Sequence, residues 1–107
     1  MYAVEKSGVY DVVTPEHEIN AGNADQAKEF IKEFIGGGHH FLVIDLSTTV
    51  FLDSPALGVL VTAMKLARAS GGNVRLCGLS KNLQQILELT RLNRVFEIYP
   101  DRASALA

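Results

Sequence analysis

Residues 41–46 constrain the fold more than any other segment. They read Phe-Leu-Val-Ile-Asp-Leu, an apolar run without alternation of apolar and polar residues. A strand with one face in water alternates, so an unbroken run predicts a strand in the middle of a sheet that is covered on both faces. Helices are the usual cover for such a sheet, and the run therefore predicts an α/β fold.

The other segments supply the elements that such a fold needs. Strands are predicted over 2–6, 9–14, 74–77 and 95–99, with a short extended piece over 50–52. Helices are predicted after Asn23, from the 53–55 turn to about Ser70, from near Ser80, and as a short terminal helix capped by Asp101. This order predicts one mixed sheet, with an antiparallel N-terminal hairpin, parallel later strands and about four helices packed on it.

Local turn signals set the expected boundaries. Ser7-Gly8 is suited to a tight hairpin turn. Residues 17–22 are predicted to form a loop, after which Asn23 is expected to cap a helix, with Gln26 in the reciprocal capping position. The pair Gly71-Gly72 is typical of a helix end.

Length and charge bound the class of protein. A chain of 107 residues has room for one core, so a single domain over 1–107 is predicted. Its net charge of -2, with scattered basic residues, disfavours direct nucleic-acid binding. The single cysteine, Cys77, excludes an internal disulfide and is expected in the core. No leader or membrane-spanning run is recognisable, so the expected location is the cytoplasm, without membrane insertion.

Several catalytic interpretations can be weighed and set aside. The segment 36–40, Gly-Gly-Gly-His-His, follows a helix and has no Lys-Ser or Lys-Thr, unlike a phosphate loop. Ser54 lacks the flanking glycines of a nucleophile elbow. A small hydrolase that uses Ser54 is kept as a hypothesis after the two given below. Asp45 and Asp53 could form a carboxylate pair, but a strand end and a helix start explain them better. No catalytic residue, metal site or cofactor is predicted.

The turn that opens the second helix is the most informative point of the sequence. Ser54 could be only an N-cap that accepts from the amides of Ala56 and Leu57. Two features favour a docking surface instead: the helix start is apolar on nearly every side, and Gly58 permits close approach by another surface. The predicted contact residues are Asn20, Asp53, Ser54, Pro55, Ala56, Leu57, Gly58 and Val61.

At these residues the chain resembles the STAS domain of bacterial anti-sigma factor antagonists. The resemblance rests on an ordered set of segments and covers nearly the whole chain. It comprises 18–20 (Glu-Ile-Asn), 41–47, 51–54 (Phe-Leu-Asp-Ser), 57–60 (Leu-Gly-Val-Leu), 71–76 (Gly-Gly-Asn-Val-Arg-Leu), 87–92 (Leu-Glu-Leu-Thr-Arg-Leu) and 95–96.

The resemblance implies partner switching. In that family the serine after the aspartate is the phosphoacceptor, which here falls on Ser54. It implies binding to an anti-sigma factor that is a serine kinase with its own bound ATP, release on phosphorylation, and reversal by a serine phosphatase. Asn20 is expected beside Ser54, where it could orient the hydroxyl. The alternative is a STAS scaffold subunit of a lipid-transport or stress-sensing complex, with Ser54 only a cap.

Three positions depart from the family pattern. The family usually has a small residue and then glycine after the serine, where this chain has Pro55 and Ala56. It also has Arg91 where glycine is common before Leu92. Pro55 removes one backbone donor that a phosphate or a partner could use.

Overall fold

A computed structural model describes residues 2–15 and 17–107 of the protein. The order of elements follows the predicted one, with one additional short strand. The strands are β1 (Ala3–Ser7), β2 (Tyr10–Thr14), β3 (Glu18–Ile19), β4 (Phe41–Asp45), β5 (Phe51–Leu52), β6 (Asn73–Cys77) and β7 (Glu97–Tyr99); the helices are α1 (Ala24–Gly36), α2 (Ser54–Ala69), α3 (Lys81–Leu89) and α4 (Arg102–Leu106), with a 3-10 helix at Leu92–Arg94.

The main sheet confirms the predicted mixed topology. Its five strands lie in the order β1-β2-β4-β6-β7. β1 and β2 pair antiparallel, and every other neighbouring pair is parallel. β4 occupies the middle, as its unbroken apolar sequence predicts.

Both faces of β4 are buried, one by a large core cluster and the other by a small one. Leu42 and Ile44 point into the large core cluster that α1, α2 and α3 complete. Val43 points to the opposite face, into a small cluster with Cys77 and Ala105 of α4. Burial raises the pKa of the Cys77 thiol to about 11, so this cysteine is an inert core side chain, as predicted.

The loop predicted over 17–22 contains a strand that the sequence did not show. β3 pairs in parallel with β5, through Glu18 opposite Phe51 and Ile19 opposite Leu52. Ile19 and Leu52 are both buried. A strand of two residues is too short to show a periodic pattern in the sequence. The pairing is set instead by the burial of one residue from each strand in the core.

Several strand boundaries shift by one residue from the predicted ones, and the last strand starts two residues later. The first hairpin turns at Gly8 and Val9 rather than at Ser7 and Gly8, because Ser7 pairs with Tyr10. Gly8 has a φ of 61°, which its missing side chain allows at the start of a two-residue turn. The last strand begins at Glu97 and not at 95, since the 3-10 helix ends at Arg94 and residues 95 and 96 form the turn that follows it.

Arg91 has a backbone conformation that explains one departure from the family pattern. Its φ is 62°, in the left-handed region, and no other non-glycine residue among those described has a positive φ. An L-residue pays a steric penalty there that glycine avoids. The glycine common at this position is therefore explained by the turn between α3 and the 3-10 helix.

α4 is held against the sheet by two arginines. Nε and Nη2 of Arg102 donate to Oδ2 of Asp45, at 3.1 and 2.8 Å. Nη1 of Arg75 donates to the carbonyl oxygen of Ala105 at 2.8 Å. A helix of five residues is too short to be stable alone, so these contacts and the small cluster beneath it fix its position.

Among the described residues, no helix has the length and apolar character needed to cross a lipid bilayer.

Candidate functional site

The N-cap of α2 is Asp53, and this corrects the simple capping interpretation of Ser54. The amide of Ala56 donates to Oδ1 of Asp53 at 3.0 Å. Asp53 has the extended backbone of a cap residue, whereas Ser54 is the first residue of the helix and Pro55 the second. Because either side chain could have capped the helix, the sequence alone left this choice open.

Ser54 is exposed at the N-terminal end of α2. Within the described residues, its hydroxyl is not used in a hydrogen bond that holds the fold together. An exposed serine in a first helical turn, with its capping task done by the preceding residue, can be modified without loss of a structural contact.

Asp53 also joins the start of α2 to the loop before α1. Its second oxygen, Oδ2, accepts from the amide of Ala21 at 2.8 Å. The loop that contains Asn20 is therefore bonded to the residue that precedes Ser54. Oδ1 of Asn20, however, accepts from the amide of Gly22 at 2.8 Å, so this oxygen stabilises its own loop and does not orient the serine hydroxyl.

The predicted cap at the start of α1 is replaced by a bond within the same loop. Asn23 is the N-cap residue by position, but its Oδ1 accepts from the amide of Asn20 at 2.9 Å. The carbonyl oxygen of Asn20 accepts in turn from the amides of Asn23 and Ala24. Asn23 thus closes the turn between β3 and α1 instead of capping the helix.

The apolar start of α2 is mostly core, which corrects part of the predicted contact surface. The side chain of Ala56 is fully buried, and Leu57 is only 9% exposed. α2 is covered on one side by α1 and on another by the sheet, so it buries more of its circumference than a single stripe. Of the predicted contact residues, Ser54 and Pro55 are exposed, and Asn20, Asp53, Gly58 and Val61 are half-buried.

Two exposed apolar residues beside the serine were missed. Val50 is 51% exposed and Phe51 is 43% exposed, immediately before the Leu52-Asp53-Ser54 segment. Leu52 takes the buried position of β5, which leaves Phe51 on the exposed face, and Val50 precedes the strand. The unalternating sequence Val-Phe-Leu was the available signal, since one such strand could not bury all three.

The carboxylates and the histidine considered for other chemistries take part in structural contacts. Asp45 is engaged by Arg102 and Asp53 by two backbone amides, so the two carboxylates serve separate structural roles. His39 is bonded through Nδ1 to Oδ2 of Asp11, at 2.9 Å. Across residues 2–15 and 17–107, no three histidine, cysteine, aspartate or glutamate side chains are grouped to hold a metal ion.

Comparison with known proteins identifies the family. The model of the STAS domain matches residues 2–105. The chain belongs to the STAS domain family. STAS relatives include a Thermotoga maritima protein named as a candidate anti-sigma factor antagonist, 31% identical over 96 residues, which are 89% of this chain and 85% of that protein. The anti-sigma-B factor antagonist of Listeria monocytogenes is 36% identical over 81 residues, 76% of this chain and 71% of that protein.

Solved structures of anti-sigma factor antagonists share the fold over almost the whole length. The crystal structure of a candidate anti-sigma factor antagonist from Thermotoga maritima superposes with a TM-score of 0.93 at 27% identity, covering 98% of this chain and 91% of that one. An anti-sigma factor antagonist from Mycobacterium paratuberculosis gives a TM-score of 0.87 at 26% identity, covering 99% and 90%. The STAS resemblance of the sequence is confirmed.

Proposed function

We propose that this STAS domain is an anti-sigma factor antagonist with Ser54 as its switch. Unmodified, it binds an anti-sigma factor that is also a serine kinase, and sigma-factor-dependent transcription is thereby regulated indirectly. The kinase, using its own bound ATP, phosphorylates Ser54 and releases the domain, and a serine phosphatase restores the unmodified form. The domain is a ligand and substrate, with no catalytic role of its own.

The observation that carries the proposal is the exposure of Ser54, whose hydroxyl is not needed as a cap because Asp53 caps α2. The names of the curated relatives agree with this function. Exposed Val50 and Phe51 supply apolar area next to the serine that a partner can cover.

Phosphorylation would alter this surface more than the fold. A phosphoserine adds about -1.5 to -2 charges at neutral pH, next to the carboxylate of Asp53. The amides of Ala56 and Leu57 already donate to Asp53, and Pro55 has no amide hydrogen. The added charge would therefore face a docked partner, where desolvation and like-charge repulsion cost several kcal/mol.

The decisive experiment maps phosphate after incubation with candidate serine kinases encoded by neighbouring genes, plus ATP. We expect a single modified residue, Ser54, by mass spectrometry. Ser54→Ala should abolish labelling and retain binding, whereas Ser54→Asp should bind about a hundredfold more weakly. Ser70→Ala, which alters an exposed serine at the other end of α2, is the matched control and should behave as wild type.

Two results would contradict the switch. One is modification confined to other residues, and the other is equal affinity of Ser54→Asp and wild type for the kinase. Together they would favour the scaffold role, in which the same STAS surface docks without a phosphate-dependent release.

Gly58→Ala is predicted to separate stability from docking. A Cβ at Gly58 meets no atom within 4 Å, so alanine fits the folded domain. Alanine should raise the free energy of unfolding by about 0.5–1 kcal/mol, since glycine is unfavourable inside a helix. If the partner approaches closely here, kinase binding should fall although stability rises, which urea denaturation and a binding titration would show. Unchanged binding would place Gly58 outside the contact surface.

A further inference from the structure

We propose that Asp53 is a positioning residue, which fixes the loop 20–23 beside Ser54 so that the partner recognises loop and serine as one surface. This inference rests on the proposed function, and it adds a second recognition element to it. The loop is placed by a contact that a helix cap does not require.

The two oxygens of Asp53 have separate tasks. Capping α2 uses Oδ1 alone, through the amide of Ala56 at 3.0 Å. Oδ2 accepts from the amide of Ala21 at 2.8 Å, from a segment 32 residues earlier in the chain. Serine or asparagine would cap a helix about as well as aspartate, so capping does not account for a carboxylate here. Only a carboxylate presents an acceptor to both amides.

Internal hydrogen bonds hold the loop in one shape. Oδ1 of Asn20 accepts from the amide of Gly22, and Oδ1 of Asn23 accepts from the amide of Asn20, at 2.8 and 2.9 Å. Backbone bonds from Asn23 and Ala24 to the carbonyl oxygen of Asn20 close the turn. These bonds hold the loop's shape, and the bond from Ala21 to Asp53 sets where that shape lies relative to α2.

Exposure places the loop within the same contact area as the serine. Ala21 and Gly22 are exposed, as are Ser54 and Pro55, and the half-buried carboxylate of Asp53 lies between the two segments. Because Asp53 holds the loop and directly precedes Ser54, a partner that docks over the serine can contact the loop as well. Displacing the loop would change the recognised surface without touching the phosphoacceptor.

Asp53→Ser separates the two tasks. The serine hydroxyl can cap the Ala56 amide but is too short to reach Ala21, and Asp53→Asn turns an amide donor toward the Ala21 donor. In both variants the Ala21 amide should exchange with solvent at least about tenfold faster than in wild type. The KM for Ser54 phosphorylation by the cognate kinase should rise about tenfold, with kcat nearly unchanged.

Ser80→Ala is the matched control, because it removes the N-cap of α3, where the amide of Leu83 donates to Ser80 Oγ. It should lower the urea midpoint of the domain and leave the kinase KM unchanged. Faster exchange at Ala21 with an unchanged KM in Asp53→Ser would overturn the positioning role and leave the switch intact. Unchanged exchange would overturn the role directly. Failure of the wild-type domain to be labelled on Ser54 would instead overturn the proposed function.

Discussion

Gly72→Ala should destabilise this domain by about 3 kcal/mol or more, a large share of the roughly 5–15 kcal/mol that holds a typical domain folded. A Cβ on Gly72 would overlap the carbonyl group and the Cβ of His40, well inside contact distance. The carbonyl oxygen of His40 also accepts a hydrogen bond, at 3.0 Å, from the amide of Asn73, which follows Gly72 and is the first residue of β6. The overlapping atoms are mostly backbone, so the central strands β4 and β6 would have to separate at this end.

A glycine series isolates that clash. Gly36→Ala adds a Cβ with open space around it, at the end of α1, and should leave the urea midpoint unchanged or slightly higher. Gly71→Ala also has open space, but its φ of 84° strains an L-residue, so an intermediate loss of about 1 kcal/mol is expected. The expected midpoints therefore fall in the order of positions 36, 71 and 72. Equal midpoints for Gly36→Ala and Gly72→Ala would show that β4 and β6 can part at little cost.

This pair of glycines also shows what sequence reasoning can and cannot predict. Gly71-Gly72 predicts a helix end, and the positive φ of Gly71 agrees with that interpretation. The need for glycine at Gly72 comes from His40, 32 positions away in the chain, and only the pairing of β4 with β6 brings the two together. Local propensity carries no information about such a contact.

The same distinction explains the candidate site. The sheet and helices were predictable because the unbroken apolar run of 41–46 and the apolar periods of the helices are long enough to recognise. The β3–β5 ladder has two residues in each strand and is set by burial of Ile19 and Leu52. The sequence therefore could not predict this ladder. Asp53 and Ser54 are both good N-caps, and the choice between them depends on the Ala21 amide, which the fold brings to Asp53.

That choice has a functional consequence. Because Asp53 performs both the capping and the contact with the loop, Ser54 has no structural task that a phosphate would disrupt. A switch residue whose modification left the domain folded could be reset by a phosphatase, whereas one whose modification unfolded the domain could not. The proposed switch is therefore favoured by the same bonds that stabilise the start of α2.

Arg102→Met should lower the free energy of unfolding by about 2–3 kcal/mol at pH 7, because it leaves the buried carboxylate of Asp45 without its cation. Asp45 is 6% exposed, and Arg102 donates to its Oδ2 from two nitrogen atoms. This decrease in unfolding free energy is smaller than that expected for a fully buried ion pair, because the Arg102 side chain is 38% exposed and the Ser47 amide still donates to Asp45. Methionine preserves most of the apolar length of the arginine side chain.

The dependence on pH follows from the ionisation of Asp45. Burial alone would raise the pKa of this carboxyl, but hydrogen bonds from Ser47 and Arg102, with the charge of Arg102, hold it below its usual value of 3.8. The unfolded state thus binds a proton more readily than the folded state, and the stability contributed by Asp45 is present above about pH 4 and lost as pH falls below it. The difference in unfolding free energy between wild type and Arg102→Met should therefore be largest near neutral pH and shrink below pH 4.

Urea denaturation of both proteins between about pH 3 and pH 7 measures this difference. Lys6→Met is the matched control. Nζ of Lys6 lies 3.9 Å from Oδ1 of Asp11, but the Lys6 side chain is 66% exposed. Loss of this ion pair should therefore lower the free energy of unfolding by no more than about 0.5 kcal/mol at any pH. Asp45→Asn combined with Arg102→Met should recover part of the stability lost in Arg102→Met, since no charge is then left buried. A constant difference across the pH range would mean that Arg102 stabilises α4 by packing alone, and that the Asp45 carboxylate is compensated by Ser47.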